Sequence, residues 1–166
     1  MPERTISTIF DEDHDRLDEL FKSFHMLKRT DFAQATRAFE DFKIGLQRHM
    51  VWEEDVLFPL WENKTGMTEG GPTFVMRQEH REIGESLDAI ERKVQTQNPE
   101  SDQEEQTFVD LLDRHNMTEE QVLYPAIDRA TNADEREAVF QDMDNIPEAR
   151  YRTGCGAKQA RHAGLR

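Results

Sequence analysis

The sequence predicts an all-α protein: an up-down-up-down antiparallel four-helix bundle built as a two-fold repeat of helix pairs, followed by a short extra helix and a C-terminal tail. Three observations lead to this prediction. Apolar residues recur at alternating intervals of four and three, which is the spacing of helices packed in a bundle. The breaks between the four periodic segments are short, and short loops favour antiparallel neighbours. The second half of the chain also repeats the first at a fixed distance along the sequence, so that position 48 corresponds to position 114. We call this distance the repeat offset.

The first helix pair is defined by two stripes of mainly apolar residues. The stripe of the first helix runs through Phe10, His14, Leu17, Phe21 and Phe24. The stripe of the second helix runs through Phe39, Phe42, Leu46, His49, Glu53, Val56 and Leu60. Residues 29–31 form the break between them, where Thr30 or Asp31 is suited to cap the second helix. Both stripes therefore contain a histidine at a position where an apolar residue is expected.

The second helix pair repeats this design. The stripe of the third helix runs through Met76, His80, Ile83, Leu87, Ile90 and Val94. The stripe of the fourth helix runs through Phe108, Leu112, His115, Glu119, Val122 and Ala126. A glycine-containing loop at residues 64–71 precedes the third helix, and Pro72 suits the first turn of that helix. Residues 97–103 separate the third helix from the fourth.

The chain divides into a bundle, a short extension and a tail. Residues 1–131 hold the four periodic segments, and residues 132–149 contain a segment, 134–143, that predicts one short helix. Residues 150–166 are basic, contain glycine and lack periodicity, so we expect a mobile tail. This tail contains Cys155, the single cysteine of the chain, which cannot form an internal disulfide.

Composition limits the classes of protein to which the chain can belong. The 166 residues fit one domain with a sizeable core. No apolar run approaches the about 20 residues that cross a bilayer, and the first residues lack the basic and apolar regions of a signal peptide. The net charge of −14 disfavours nucleic acid and anionic membranes as partners, because phosphate binding requires a basic surface. We therefore expect a cytoplasmic protein that binds neither nucleic acid nor membranes.

The repeat duplicates a set of side chains that commonly bind metals. RHMVWEEDVLFP at residues 48–59 recurs as RHNMTEEQVLYP at residues 114–125, with seven of the twelve positions identical. The repeat offset relates six stripe residues in three pairs: His14 and His80, His49 and His115, Glu53 and Glu119. One histidine in a core is more often structural, but four that obey one translation, together with two glutamates, indicate metal ligands.

The glutamates on the inward-facing stripes require a cation. Glu53 follows His49 by four residues, which is about one helical turn, so both side chains point inward, as do those of His115 and Glu119. Two ionised carboxylates in one core repel each other and are costly to bury without partners. No Arg or Lys occupies these stripes, and metal ions are therefore the remaining candidates.

The number of ligands predicts two equivalent metal ions, because four histidines and two carboxylates exceed the needs of one tetrahedral zinc ion. The predicted ligands are His14 and His49 for one ion, His80 and His115 for the other, and Glu53 and Glu119 as bridges. Each ion keeps open positions for water, an oxo or hydroxo bridge, or a small ligand. Mixed imidazole and carboxylate ligation favours iron, as Fe²⁺ or Fe³⁺, with manganese next and zinc possible.

The order of the ligands resembles that of a known protein family. A lone histidine, then HxxxE, then a lone histidine, then HxxxE, on four successive helices, is similar to the hemerythrin-like HHE domain over residues 9–129. The extensions EEDVLFP and EEQVLYP add to the resemblance. Ferritin-like proteins use another order, with a lone Glu on two helices and Glu-x-x-His on two. The resemblance implies a non-haem di-iron centre that binds dioxygen or related small molecules.

One departure from the family pattern changes the expected function. Oxygen-carrying members have two histidines spaced HxxxH on the third helix, whereas Met76 lies four residues before His80 here. Thioether sulfur is a poor ligand for ferric iron, so we interpret Met76 as a core residue. In this four-histidine variant, reaction with dioxygen, peroxide or nitric oxide is at least as well supported as oxygen carriage. The alternatives are a module that stores or senses iron without turnover, and a metal-free structural bundle.

Several other polar and aromatic side chains carry weaker signals. Asp13 and Glu79 each precede a predicted ligand histidine, and they either hydrogen-bond to ligands or are surface acids. Glu54 and Glu120 lie about 100° away from the stripes, which predicts a solvated face. We interpret the remaining candidates as packing or surface residues: Trp52, Tyr124 and His25.

Overall fold

The computed structural model describes residues 2–153, and all regular structure within them is helical, which confirms the predicted all-α class. The α-helices that precede residue 148 are α1 (Ile6–Leu27), α2 (Phe32–Trp52), α3 (Phe58–Thr65), α4 (Pro72–Gln95), α5 (Asp102–Thr118), α6 (Tyr124–Ala130) and α7 (Ala133–Asp144). Two π-helical turns, Glu53–Leu57 and Glu119–Leu123, join α2 to α3 and α5 to α6 without a break. Four long helical stretches therefore result, as the four stripes predict.

The helix starts follow from local capping chemistry. The Thr5 side chain accepts a hydrogen bond from the Thr8 backbone N–H at the start of α1, and Asp31 does the same for Gln34 at the start of α2. Side-chain oxygens at this position satisfy N–H groups that have no partner inside the helix. Pro72 begins α4, where its missing N–H costs no helical hydrogen bond.

Two apolar clusters fill the interior. The first core cluster is built on α1, α2, α4 and α5 and contains Leu17, Phe21, Phe24, Ala35, Phe39, Phe42, Leu46, Met50, Ile83, Leu87, Ile90, Val94, Phe108 and Leu112. The second core cluster includes residues of α7 and contains Ile6, Phe10, Leu57, Phe58, Met76, Leu123, Tyr124, Ile127, Val139, Phe140 and Met143. Met76 is therefore a core residue, as expected. The four stripe histidines lie along their helices between members of the two clusters or beside them.

The buried face shifts by one residue after each stripe glutamate, which the stripes did not predict. Val56 is only partly buried and Val122 is 57% exposed, although both were expected in the core. The Phe58 backbone N–H bonds to the Glu53 carbonyl five residues earlier, the π-helical pattern, and Tyr124 bonds to Glu119 in the same way. One extra residue in the turn rotates the next helix by about 100°. The side chains that enter the core are consequently Leu57, Phe58, Leu123, Tyr124 and Ile127.

A proline follows each π-helical turn closely. Pro59 and Pro125 occupy the beginning of α3 and α6. A proline inside a regular helix cannot donate to the carbonyl four residues earlier, and its ring presses against that carbonyl. Each proline therefore lies directly after the residue that closes the wider turn, where the helical hydrogen-bond pattern changes.

The C-terminal part of the described chain packs on the bundle. Helix α7 begins and ends within one residue of the predicted extra helix, and residues 148–153 are also helical. Tyr151 is buried, and its hydroxyl accepts a hydrogen bond from Trp52 Nε1 at 2.9 Å and donates one to the Met143 carbonyl. The first four residues of the expected tail are thus helical, while Cys155 and the rest of that tail lie outside the described residues. The domain boundaries themselves stay predictions.

Candidate metal centre

The six predicted ligands lie together inside the bundle. The four histidines are at most 3% exposed, and Glu53 and Glu119 are completely buried. Each histidine comes from a different long helix, α1, α2, α4 or α5, while each glutamate is the first residue of a π-helical turn. Helical periodicity places the six side chains on inward faces, and the packing of the four helices brings those faces together.

The two carboxylates each lie between histidines from the two halves of the chain. Glu53 Oε1 is 3.4 Å from His49 Nε2 and 3.3 Å from His80 Nε2. Glu119 Oε1 is 3.2 Å from His115 Nε2 and 3.4 Å from His14 Nε2. Each carboxylate therefore lies between one histidine of the first helix pair and one of the second, and its Oε1 atom makes both approaches.

The imidazoles group into two pairs. The rings of His14 and His49 have centroids 4.6 Å apart, and those of His80 and His115 have centroids 4.9 Å apart. Donor atoms within 4.8 Å of one another form two sets that share one carboxylate: His14, His49 and Glu119, and then Glu53, His80, His115 and Glu119. These pairs are the ones that the sequence assigned to two separate ions.

Four outer carboxylates orient the histidine rings. The Nδ1 atom of each ring lies within hydrogen-bonding distance of a carboxylate outside the centre: His14 with Glu120 at 2.8 Å, His49 with Asp13 at 2.9 Å, His80 with Glu54 at 2.6 Å, and His115 with Glu79 at 2.7 Å. A carboxylate at Nδ1 fixes the proton there and leaves Nε2 free to act as an electron-pair donor. All four Nε2 atoms accordingly face the interior.

Two of these outer carboxylates were assigned the wrong environment. The sequence predicted a solvated face for Glu54 and Glu120, whereas both bind the ring of a histidine on another helix. Asp13 and Glu79 were expected either to contact ligands or to be surface acids, and the first alternative is correct. The sequence did contain a sign of this role, because Glu54 and Glu120, like Asp13 and Glu79, are separated by the same repeat offset as the predicted ligands.

Tyr124 contributes a polar atom to the centre that sequence analysis missed. It was interpreted as packing, and its ring is indeed buried in the second core cluster. Its hydroxyl, however, donates a hydrogen bond to Glu53 Oε2 at 2.9 Å and lies 3.2 Å from His49 Nε2 and 3.4 Å from His14 Nε2. Burial, followed by the charges of Glu119 and Glu53, raises the pKa of Tyr124 well above its usual value, so the hydroxyl keeps its proton.

Buried polar atoms without hydrogen-bond partners cluster at the centre. Among residues 2–153 they include Glu53 Oε1, His80 Nε2 and both carboxylate oxygens of Glu119. The nearby histidine nitrogens approach these oxygens at 3.2 to 3.4 Å without the direction of a hydrogen bond. Such atoms are rare in proteins, because burying them costs about 1–3 kcal/mol each. A bound cation would satisfy all of them.

The centre holds protons when it lacks metal. Burial lowers the pKa of His14 and His115, but the adjacent carboxylate of Glu119 outweighs it and raises the pKa to about 9 and about 10. Burial and the charge of Glu119 raise the pKa of Glu53. Burial opposes ionisation of Glu119 as well, yet the charge of His115 and the other polar groups next to it lower its pKa well below the usual value. A metal ion must therefore displace protons from the imidazoles.

Similarity to known proteins covers the bundle. The family model described as the hemerythrin HHE cation-binding domain matches residues 5–127. Two proteins named iron-sulfur cluster repair protein YtfE, from Yersinia pestis (strain Pestoides F) and Yersinia pseudotuberculosis serotype O:1b (strain IP 31758), are each 39% identical over 54 residues, which is 32% of this chain. The matched segment spans 24% of the length of these relatives. No solved structure matches the chain.

Proposed function

Because the chain belongs to the hemerythrin HHE cation-binding family, we propose that it is a non-haem di-iron protein that binds or reacts with a small molecule such as dioxygen, peroxide or nitric oxide. The observation that carries this proposal is the buried set of inward-facing imidazole nitrogens and carboxylate oxygens, several of them without hydrogen-bond partners among the described residues. The four-helix arrangement is proposed to run up-down-up-down, as the short connections at residues 28–31 and 96–101 favour.

The proposed ligand assignment follows the two donor sets. One iron is held by His14 and His49, the other by His80 and His115, and Glu53 and Glu119 bridge the two, with an oxo or hydroxo bridge in the oxidised protein. In support, each bridging carboxylate lies 3.2 to 3.4 Å from one histidine of each pair. The contacts of residues 2–153 join neither glutamate to a Lys or Arg side chain, so a metal is the available source of positive charge besides protons.

Iron is favoured over the other candidate metals by the donor chemistry. Mixed imidazole and carboxylate ligands suit iron and manganese. A structural zinc ion usually takes four protein ligands, which is fewer than the six donor residues of this centre. The relatives are named for iron-sulfur cluster repair, which supports iron as the metal of this chain. Bound iron supplies one-electron redox chemistry and open positions for a small ligand.

The protein's own residues position the donors and exclude water. The four outer carboxylates keep the Nδ1 protons in place, so that each Nε2 stays a donor to metal. The complete burial of Glu53 and Glu119 keeps bulk water from the bridging positions. The Tyr124 hydroxyl holds a proton next to Glu53 Oε2 and is the nearest phenolic donor to the centre among the described residues.

Anaerobic reconstitution with ferrous iron tests this proposal. We expect about two irons per chain and, after exposure to air, the near-ultraviolet absorption of an oxo-bridged ferric pair. His115→Ala should lower the iron content, while His25→Ala, which changes a histidine outside the centre with a side chain 55% exposed, should leave it unchanged. A folded protein that binds no iron with all six ligands intact would contradict the proposal.

A second candidate function is a module that binds, stores or senses iron without turnover. The close burial of all six residues favours it, because a small molecule needs a path to the metal before it can react. Single-turnover and steady-state measurements with peroxide distinguish the two functions. Slow stoichiometric oxidation of the loaded protein without turnover favours the module. A cytoplasmic location and the small-molecule ligand itself remain predictions; within residues 2–153 no helix is long and apolar enough to span a bilayer.

A further inference from the structure

The two halves of the centre differ at one pair of equivalent positions. Phe58 and Tyr124 are related by the repeat offset, and each directly follows a π-helical turn and enters the second core cluster. Phe58 stacks on the His80 ring, with centroids 5.8 Å apart and an angle of 18° between the planes. Tyr124 instead brings a hydroxyl to the other pair of histidines. The repeat is therefore symmetric in its ligands but asymmetric in the aromatic residues beside them.

The half formed by His14 and His49 already contains a polar atom. The Tyr124 hydroxyl lies 3.2 Å from His49 Nε2 and 3.4 Å from His14 Nε2, and a metal ion shared by these two nitrogens would lie in the same region. The hydroxyl also donates to Glu53 Oε2 at 2.9 Å, which occupies one oxygen of a proposed bridge. A metal ion that enters this half must move the hydroxyl and break that hydrogen bond.

The half formed by His80 and His115 has no such competitor among the described residues. Phe58 offers no polar atom, and His80 Nε2, Glu53 Oε1 and both oxygens of Glu119 lack hydrogen-bond partners within residues 2–153. Four donor groups converge on this half, whereas three converge on the other. A cation entering here gains more donors and breaks no existing hydrogen bond, so the binding free energy favours this half.

We propose that the two halves bind metal in a fixed order: the first ion enters the His80 and His115 half, and the second enters the His14 and His49 half only by displacing the Tyr124 hydroxyl. This order rests on the proposed two-metal centre. In this order Tyr124 is a positioning residue, because its hydroxyl makes the second ion bind more weakly than the first. The protein can then hold one metal ion per chain at low metal concentration. Phe58 has no polar atom that could compete with a metal ion in the half formed by His80 and His115.

Calorimetric titration of metal-free protein with Zn²⁺, which avoids oxidation, tests the order. In the unmodified protein we expect two steps, the first at least about tenfold tighter than the second. Tyr124→Phe, which copies the residue at the equivalent position 58, should tighten the second step about tenfold and leave the first within about threefold. Phe58→Tyr is the mirror variant and should weaken the first step. His80→Ala should remove the tighter step, and His14→Ala the weaker one.

The outcomes separate this inference from the proposed function. Two steps of equal affinity in the unmodified protein, or a second step that weakens in Tyr124→Phe because the hydroxyl is itself a ligand, would overturn the binding order but keep the two-metal centre. No Zn²⁺ or Fe²⁺ binding by folded protein would overturn the centre. If Tyr124→Phe fails to fold by circular dichroism, Phe58→Tyr decides the question, since an unchanged first step in that variant also overturns the order.

Discussion

Two polar clusters in this bundle each bury carboxylates, but the carboxylates have different kinds of partner in the two clusters. In the first, the Lys28 cluster, the ammonium group of Lys28 is completely buried and donates to Glu105, to Asp102 Oδ1 at 2.5 Å and to the Ser101 hydroxyl at 3.3 Å. Glu105 is buried as well, and the chain itself supplies the cation that this carboxylate needs. The cluster ties the end of α1 to the beginning of α5.

The candidate metal centre buries two carboxylates that no Lys or Arg side chain of residues 2–153 contacts. Glu53 and Glu119 face four imidazoles, and several of their oxygens have no hydrogen-bond partner within residues 2–153. His25, Asp102 and Glu105 also have donor atoms close enough to hold a metal, but Lys28 already occupies the space between the two carboxylates. Spacing of donors alone therefore does not define a metal site, and the lack of a Lys or Arg partner for the buried carboxylates within residues 2–153 is the more informative observation.

Metal binding is expected to have the largest effect on stability. At free metal about a thousand times the dissociation constant, each ion should raise the free energy of unfolding by about 4 kcal/mol, because only the folded chain presents the full ligand set. Chemical unfolding with and without chelator measures this. The increment should persist in Lys28→Met, whose cluster is separate from the centre. A stability unchanged by chelation would support the metal-free structural bundle instead.

Removal of the internal cation should have the next largest effect. Lys28→Met removes the buried ammonium group and leaves Glu105 with only the Ser101 hydroxyl and His25 Nδ1 as contacts within residues 2–153, and we expect a loss of about 3–5 kcal/mol in the unfolding free energy of the metal-free protein. The matched control is Lys22→Met, because Lys22 forms a solvent-exposed pair with Glu19 that contributes at most about 1 kcal/mol. Equal effects of the two substitutions would show that Lys28 does not stabilise the fold through its charge.

The metal-free protein should become less stable as the pH rises. The folded state raises the pKa of His14 to about 9 and of His115 to about 10, above the about 6.5 of an unfolded chain. Their stabilisation is therefore fully present below about pH 6.5 and is lost as the pH rises through 9 to 10, with a loss of about 3 to 5 kcal/mol per histidine.

Denaturant unfolding at a series of pH values in the presence of chelator measures this loss. His115→Ala is the informative variant, since it should flatten the upper part of the profile. With zinc bound the direction should reverse, because protons compete with the metal for imidazole nitrogen as the pH falls. A metal-free protein that gains stability as the pH rises through this range would contradict the assigned histidine protonation.

The outer carboxylates should have the smallest of the four effects. Glu54→Gln and Glu120→Gln each weaken the hydrogen bond that orients a histidine ring, and we expect a loss of about 10- to 100-fold in metal affinity. Competition with a metal indicator dye measures the change. Glu12→Gln, which alters an exposed acid on α1, serves as the control. Affinities that match the control would mean that these carboxylates do not support the ligands.

Much of the fold and centre could be predicted because the relevant signals are local or repeated. The alternating intervals of four and three identify the long helices, and the repeat offset picks out the six inward-facing residues without knowledge of which helices are neighbours. The errors are local too. Val56 and Val122 were expected in the core because the stripes assume a regular helix, and Pro59 and Pro125 were the available signs that one turn of each helix is wider.

The sequence by itself determined the helical class and the identity of the buried donor residues, since periodicity and repetition are properties of the chain. Only the tertiary structure decided which side chains surround them. The packing of the helices places Glu54 and Glu120 within hydrogen-bonding distance of histidines on other helices. It also places the Lys28 ammonium group next to Glu105. The π-helical turns, by shifting the buried face one residue, brought the Tyr124 hydroxyl to one half of the centre and the Phe58 ring to the other.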